Sequence, residues 1–141
     1  MEVFYSSSEA ETEEIGRRVA GFVTEGDFIC LYGEMGSGKT VFMRGFVHAR
    51  IPEALVSSPT YAILNVYDND SGECINHFDM YRITSSDDLY STGFDEVIRK
   101  GITVCEWPEN IEDDLPERYY RIRFEKLSEH ERKLTLESVI R

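Results

Sequence analysis

An apolar run with no face to show to water, DFICLY at 27–32, ends in GEMGSGKT at 33–40 and gives way to VFMRGFVHA at 41–49. A continuous apolar run of this length is a strand buried on both faces, as in a parallel sheet, and the pattern after it suits a helix. Between them, Gly33-Glu34-Met35-Gly36-Ser37-Gly38-Lys39-Thr40 fits G-x-x-x-x-G-K-[ST] in the strand-to-helix context that the motif requires. Glycines let backbone N–H groups curl around an anion at a helix N-terminus, Lys39 can reach β- and γ-phosphates, and the Thr40 hydroxyl can ligate Mg²⁺. All eight residues are therefore candidate nucleotide-binding positions.

The rest of the chain supplies a sheet around this unit. Residues 8–24 read as a helix, with Ser8 as N-cap, Glu11 three residues on, and Ile15, Val19, Phe22 and Val23 at helical spacing. YAILNVY (61–67) and CINHFDMYRI (74–83) flank a turn-rich DNDSGE and predict an antiparallel hairpin, with His77, Asp79 and Tyr81 on one face of its second strand. SDDLYS and FDEVIRK suit short helices, ITVC (102–105) is a second buried strand, and YYRIRFEKL with RKLTLESVI predicts a closing hairpin. Gly45, inside a helix where it costs about 1 kcal/mol against alanine, points to a close packing contact. At 141 residues the chain has the size of one domain, residues 1–141, without repeat or linker. The expected fold class is α/β, a single-domain P-loop NTPase with a mixed β-sheet whose parallel core strands are flanked by helices and antiparallel hairpins.

A phosphate loop by itself implies nucleotide, not hydrolysis. Mg²⁺ takes one or two carboxylates near the phosphates, so the acids to seek are those closing neighbouring strands. Glu106 follows ITVC and is the candidate metal ligand beside Thr40, directly or through water; Asp79 is a candidate to orient an attacking water or to hold the metal's waters. Lys39, Asp79 and Glu106 make up the candidate catalytic set, with ATP and Mg²⁺ as the expected cofactors. His77 either lines the site or pairs structurally with Asp79, and Trp107 either shields the site, anchors a partner or packs in the core. Thr60, in SSPTYAI, could present its hydroxyl to a γ-phosphate as a switch segment does. There is no N-K-x-D run for guanine, no Arg-rich lid and no evident arginine finger, so hydrolysis by the chain alone is expected to be slow. On the residues alone, a switch ATPase, a small-molecule phosphotransferase and a nucleotide-gated binding module that never hydrolyses all stay open.

Charge narrows the partners. With 15 basic and 27 acidic residues the net charge is −12 and no Lys/Arg cluster stands out, so direct strong binding of nucleic acid is not expected. No stretch approaches the ~20 apolar residues of a membrane helix and the N-terminus has no signal-peptide pattern, which makes the cytoplasm the expected location. Cys30, Cys74 and Cys105 each sit in an apolar run without metal-ligand spacing and read as small buried thiols.

Taken in order, YGEMGSGKT, SSPTYAI, HFDMYRI and EWPE closely resemble the bacterial TsaE (YjeE) ATPases, over nearly the whole chain. Gly16 and Gly93 fit the likeness as well. The resemblance implies that the phosphate loop and Lys39 hold ATP, that Thr40 and Glu106 hold Mg²⁺, and that Asp79, Trp107 and Thr60 matter around the site. It implies a partner too: a TsaD–TsaB assembly that places threonylcarbamoyl on tRNA adenosine, whose repeated turnover the ATP hydrolysis supports. The chain departs from the family in carrying Asn110 and then Glu112, Asp113 and Asp114 where a basic residue is common, and Tyr61 for the frequent phenylalanine.

Overall fold

The computed structural model describes residues 1–57 and 63–141, so Thr60 and the rest of the Ser-Pro-Thr segment lie outside the described residues. In chain order the elements are β1 (Glu2–Ser6), α1 (Glu9–Ala20), β2 (Phe28–Tyr32), α2 (Lys39–Arg50), β3 (Leu64–Asp68) and β4 (Cys74–Asp79). There follow α3 (Ser86–Tyr90), α4 (Phe94–Val97), β5 (Ile102–Glu106), a 3-10 segment (Pro108–Asp114), β6 (Arg118–Lys126) and β7 (Arg132–Ile140). The strands form one seven-stranded sheet in the order β1-β7-β6-β2-β5-β4-β3. Its four central strands, β6, β2, β5 and β4, run parallel, and antiparallel strands close both flanks. This is the α/β mixed sheet that the sequence predicts.

Alternation along β2 assigns the two cores. Ile29 and Leu31 face α1 and α2, packing with Ile15, Val19, Phe42 and Phe46, while Phe28 and Cys30 face α3, α4 and the 3-10 segment, packing with Phe78, Leu89 and Phe94. A strand covered on both faces has no polar position to spare, which is why DFICLY reads as a solid apolar block. All three cysteines are buried and free. Burial pushes the Cys30 and Cys105 thiols well above their ordinary range, so neither is a ready nucleophile.

Two glycines set how closely α1 and α2 cross. A Cβ on Gly16 would lie 2.1 Å from the Phe42 carbonyl oxygen, and one on Gly45 would lie 1.8 Å from that of Glu13. The helix backbones touch at these points, the close packing that Gly45 announces. Because α2 starts at Lys39, this crossing also sets the height of the phosphate loop.

Two boundaries differ from the sequence reading. Helix α1, capped as expected by the Ser8 hydroxyl on the Glu11 N–H at 3.1 Å, stops at Ala20 rather than 24. The reason is Arg50, whose guanidinium takes the carbonyls of Ala20 and Val23, so the chain leaves the helix there and Phe22 stands half-exposed instead of packing on the core. Strand β4 ends at Asp79 rather than running to 83, because the Asp79 carboxylate accepts the Tyr81 N–H at 2.9 Å and turns the chain. Strand β1 and the 3-10 segment carry no sequence prediction; β1 is a short edge strand held in place by β7.

Candidate nucleotide site

Parallel strands deliver their C-terminal ends to one edge of the sheet, and three of the candidate groups arrive there together. β2 runs into the phosphate loop, β5 ends on Glu106 and β4 on Asp79, with Leu31 and Asp79 both registered beside Glu106. In open α/β sheets this edge is where ligands bind. A cleft of about 1020 Å³ opens there, lined on one side by Gly38, Lys39, Thr40, Asp79, Glu106 and Trp107. It is lined as well from around the start of α1, through Ser7 and Thr12, and from where β6 turns into β7, through Glu129 and Arg132.

The loop is shaped by left-handed backbone at Gly36 (φ 81°) and Gly38 (φ 109°), conformations that side-chain-bearing residues rarely adopt. Gly38 is the N-cap of α2, so the free N–H groups of its first turn and their partial positive charge belong to the loop. Met35 and Gly36 also line the cleft and Thr40 stands exposed on it, while Gly33, Glu34 and Ser37 belong to the loop without lining the cleft. The Ser37 hydroxyl is buried with no hydrogen-bond partner among the described residues.

Lys39 is buried, and its ammonium has three neighbours. It donates to the Gly33 carbonyl at 2.6 Å, lies 3.9 Å from Glu106 Oε1, and stands 4.9 Å from the centre of the Trp107 ring. Glu106, which the sequence places at a strand end, is only 6% exposed. Its second oxygen, Oε2, lies 2.5 Å from His77 Nε2. His77 therefore pairs with Glu106 and not with Asp79: in the parallel register Glu106 sits beside Asp79, and His77, two residues earlier on the same face, comes under the Glu106 carboxylate.

Asp79 remains half-buried in the cleft wall. Burial pushes its carboxyl up from the usual carboxylate range; the Tyr81 N–H opposes that, and the Glu106 charge adds to it. Trp107 is the only non-glycine residue with positive φ among the described residues, at 57°. Its ring packs edge-on against Tyr81, 5.0 Å between centres. The two rings cover the Lys39 end of the cleft, which agrees with a shielding position for Trp107 rather than with full core burial.

The sequence profile of threonylcarbamoyl adenosine biosynthesis protein TsaE matches residues 6–134. The chain belongs to the TsaE family. Among its relatives, tRNA threonylcarbamoyladenosine biosynthesis protein TsaE of Bacillus subtilis is 34% identical over 130 residues, covering 92% of this chain and 80% of the relative. The protein of the same name from Treponema pallidum is 31% identical over 132 residues, covering 93% and 96%. In structure the chain is similar to Bacillus subtilis YdiB, with a TM-score of 0.81 and 28% identity over 99% of this chain and 86% of that one.

Two contacts of this TsaE family site were not legible in the sequence. Asn110 donates its amide to the carbonyls of Met80 at 2.8 Å and Tyr81 at 3.1 Å, tying the segment after β5 to the segment after β4. Arg132, ninety-six positions from the loop along the chain, donates to the Gly36 carbonyl at 3.2 Å. Neither belongs to a local motif. Asn110 was legible only as a departure from the family pattern, and Arg132 only as one arginine in a closing hairpin.

Proposed function

We propose that this TsaE family member is a Mg²⁺-dependent ATP-binding and ATP-hydrolysing switch that serves tRNA threonylcarbamoyladenosine biosynthesis by acting on a TsaD–TsaB assembly. The observation that carries the reading is the meeting of Lys39 with a buried carboxylate, Glu106, at 3.9 Å beside the glycine loop. The pair sets a cation suited to phosphate oxygens next to a carboxylate suited to a metal or its waters, at the mouth of the same loop.

The residues fit the expected ligands. The first-turn N–H groups of α2, with no side-chain cap, are donors free for an anion. No trio of His, Cys, Asp and Glu gathers as a metal cage among the described residues. Mg²⁺ does not require one, since it usually keeps its waters and binds through one or two carboxylates together with nucleotide phosphates. Thr40 and Glu106 are the residues that would hold it, and the cation would supply charge neutralisation between the β- and γ-phosphates.

The chain's own groups then divide the work. Lys39, which donates to the Gly33 carbonyl, would turn to the nucleotide's phosphate oxygens, and the N–H groups of the loop would donate to the same phosphates. Asp79, with a carboxyl that burial has made more basic than usual, faces the cleft and can accept a hydrogen bond from the attacking water. Trp107 and Tyr81 limit water at the Lys39 end. Among the described residues two arginines line the cleft, Arg82 and Arg132, and Arg132 is engaged with backbone carbonyls, that of Gly36 included. Slow turnover by the chain alone and acceleration by the partner assembly are expected on this reading.

The test is steady-state phosphate release from ATP and Mg²⁺ by the purified chain, with and without TsaD–TsaB. Stimulation by the partners, reduced about 10- to 100-fold in Glu106→Ala, is the expected result. ATP bound but unchanged with partners present would replace the switch by a gated binding module; consumption only with an added small acceptor would replace it by a phosphotransferase.

A further inference from the structure

The candidate site contains one buried ionisable side chain to which the proposed mechanism gives no task. His77 is 1% exposed, sits beneath the Glu106 carboxylate and touches neither the glycine loop nor the cleft. Its Nε2 lies 2.5 Å from Glu106 Oε2, while its Nδ1 has no partner among the described residues. With a carboxylate as acceptor, the proton of this hydrogen bond is carried by Nε2.

The two oxygens of Glu106 are thus engaged differently. Oε2 is held from below by the imidazole, and Oε1 is turned toward Lys39 at 3.9 Å. A carboxylate at a strand end can rotate about its last torsion at little cost, since that torsion is broad and roughly two-fold. Without His77, the charged partner left to Glu106 among the described residues is the Lys39 ammonium, which also has to serve the phosphates. A closer Lys39–Glu106 ion pair would withdraw a cation from the nucleotide and a ligand from the metal at once.

We propose that His77 is a positioning residue, whose Nε2–H clamps Glu106 Oε2 so that Oε1 is presented at the phosphate end of the cleft and kept from closing on Lys39. The inference rests on the reading of the cleft as a Mg²⁺–nucleotide site. Register makes the clamp possible: His77 and Asp79 share a face of β4, Glu106 lies beside Asp79 on β5, and parallel pairing brings the imidazole under the carboxylate. A core histidine placed only for packing would not need a hydrogen bond to the one buried acid of the cleft, nor would it leave its other nitrogen without a partner. Partners of metal-binding carboxylates and imidazoles commonly tune metal affinity in this way, and their loss typically costs 10- to 100-fold.

The experiment is equilibrium binding of a fluorescent ATP analogue to the full chain, titrated with Mg²⁺, with a thermal melt of each variant alongside. His77→Leu, which keeps bulk but donates nothing, should raise the half-saturating Mg²⁺ by about 10-fold or more and leave affinity measured in EDTA within about 2-fold. His77→Gln, whose amide nitrogen falls close to the position of Nε2, should restore the wild-type Mg²⁺ requirement. If His77→Leu does not fold, His77→Asn takes its place, since its amide reaches only the Nδ1 position and should show the same shift. An unchanged Mg²⁺ requirement in the Leu or Asn variant overturns the clamp, and so does a Gln variant as impaired as Leu. A purely structural role would weaken binding equally with and without Mg²⁺. Wild-type protein that binds no nucleotide, or binds it without regard to Mg²⁺, would instead refute the site reading on which the inference stands.

Discussion

Asp79 shows at the scale of one residue how a site sets its functional groups against stability. Burial holds its carboxyl above the usual value near 3.8, so the native state keeps that proton more tightly than the unfolded chain does. Ionising Asp79 therefore costs stability. The cost is absent below the usual value, grows as pH rises toward the raised one, and persists above it. Asp79→Asn keeps an oxygen to accept the Tyr81 N–H and removes the charge beside Glu106. Its melting temperature should exceed that of the wild type at pH 7, with the gap closing as pH falls toward 4; a constant gap, or a lower melting temperature at pH 7, would contradict the assignment. Under the proposed function hydrolysis should fall in the same variant, since a neutral amide oxygen is a weaker acceptor for the attacking water than a carboxylate. The candidate residues of the phosphate loop, Asp79 and Glu106 were all legible in the sequence, because a glycine loop and acids closing apolar strands are local patterns. The partner of His77 was not: whether it meets Asp79 or Glu106 depends on which strand lies beside β4 and in what register.

Among the elements, the α1–α2 crossing ties helix packing to the loop. Gly→Ala inside a helix ordinarily gains about 1 kcal/mol. At Gly45 the new methyl would fall on the Glu13 carbonyl, so Gly45→Ala should instead destabilise the chain by about 1–3 kcal/mol in urea unfolding. Because α2 begins at Lys39, the same variant should bind ATP more weakly, whereas a neutral result in both measurements would mean that the helices slide without disturbing the loop. Element type was well signalled by apolar periodicity, and so were the fully buried strands. Boundaries were less so, since α1 ends where Arg50 captures its last carbonyl and β4 ends where Asp79 turns the chain. Strand β1 was silent in the sequence because a short edge strand owes its place to β7 more than to its own pattern.

The molecule as a whole carries a charge of −12, and the fold commits several of its cations locally. Arg17 pairs with Glu14, Arg44 with Glu13, Arg121 with Glu137 and Lys133 with Glu125, while Arg50 caps backbone carbonyls and pairs with Glu73. Neutralising tRNA phosphates needs free clustered cations, so the isolated chain should not shift tRNA in an electrophoretic assay at micromolar protein and physiological salt. A tight shift that weakens steeply with salt would overturn this expectation. Among the described residues no helix is long and apolar enough to cross a membrane. The sequence by itself determined the fold class, the glycine-rich loop between strand and helix and the position of the two acids at strand ends, because each is written in consecutive residues whose spacing dictates local geometry. Only the tertiary structure decided that Glu106 is buried between Lys39 and His77, that Trp107 stands over the lysine in a left-handed conformation, and that Asn110 and Arg132 brace the site. Those contacts join residues far apart in the chain, and the sheet order and register that bring them together are settled by packing on both faces of the sheet at once.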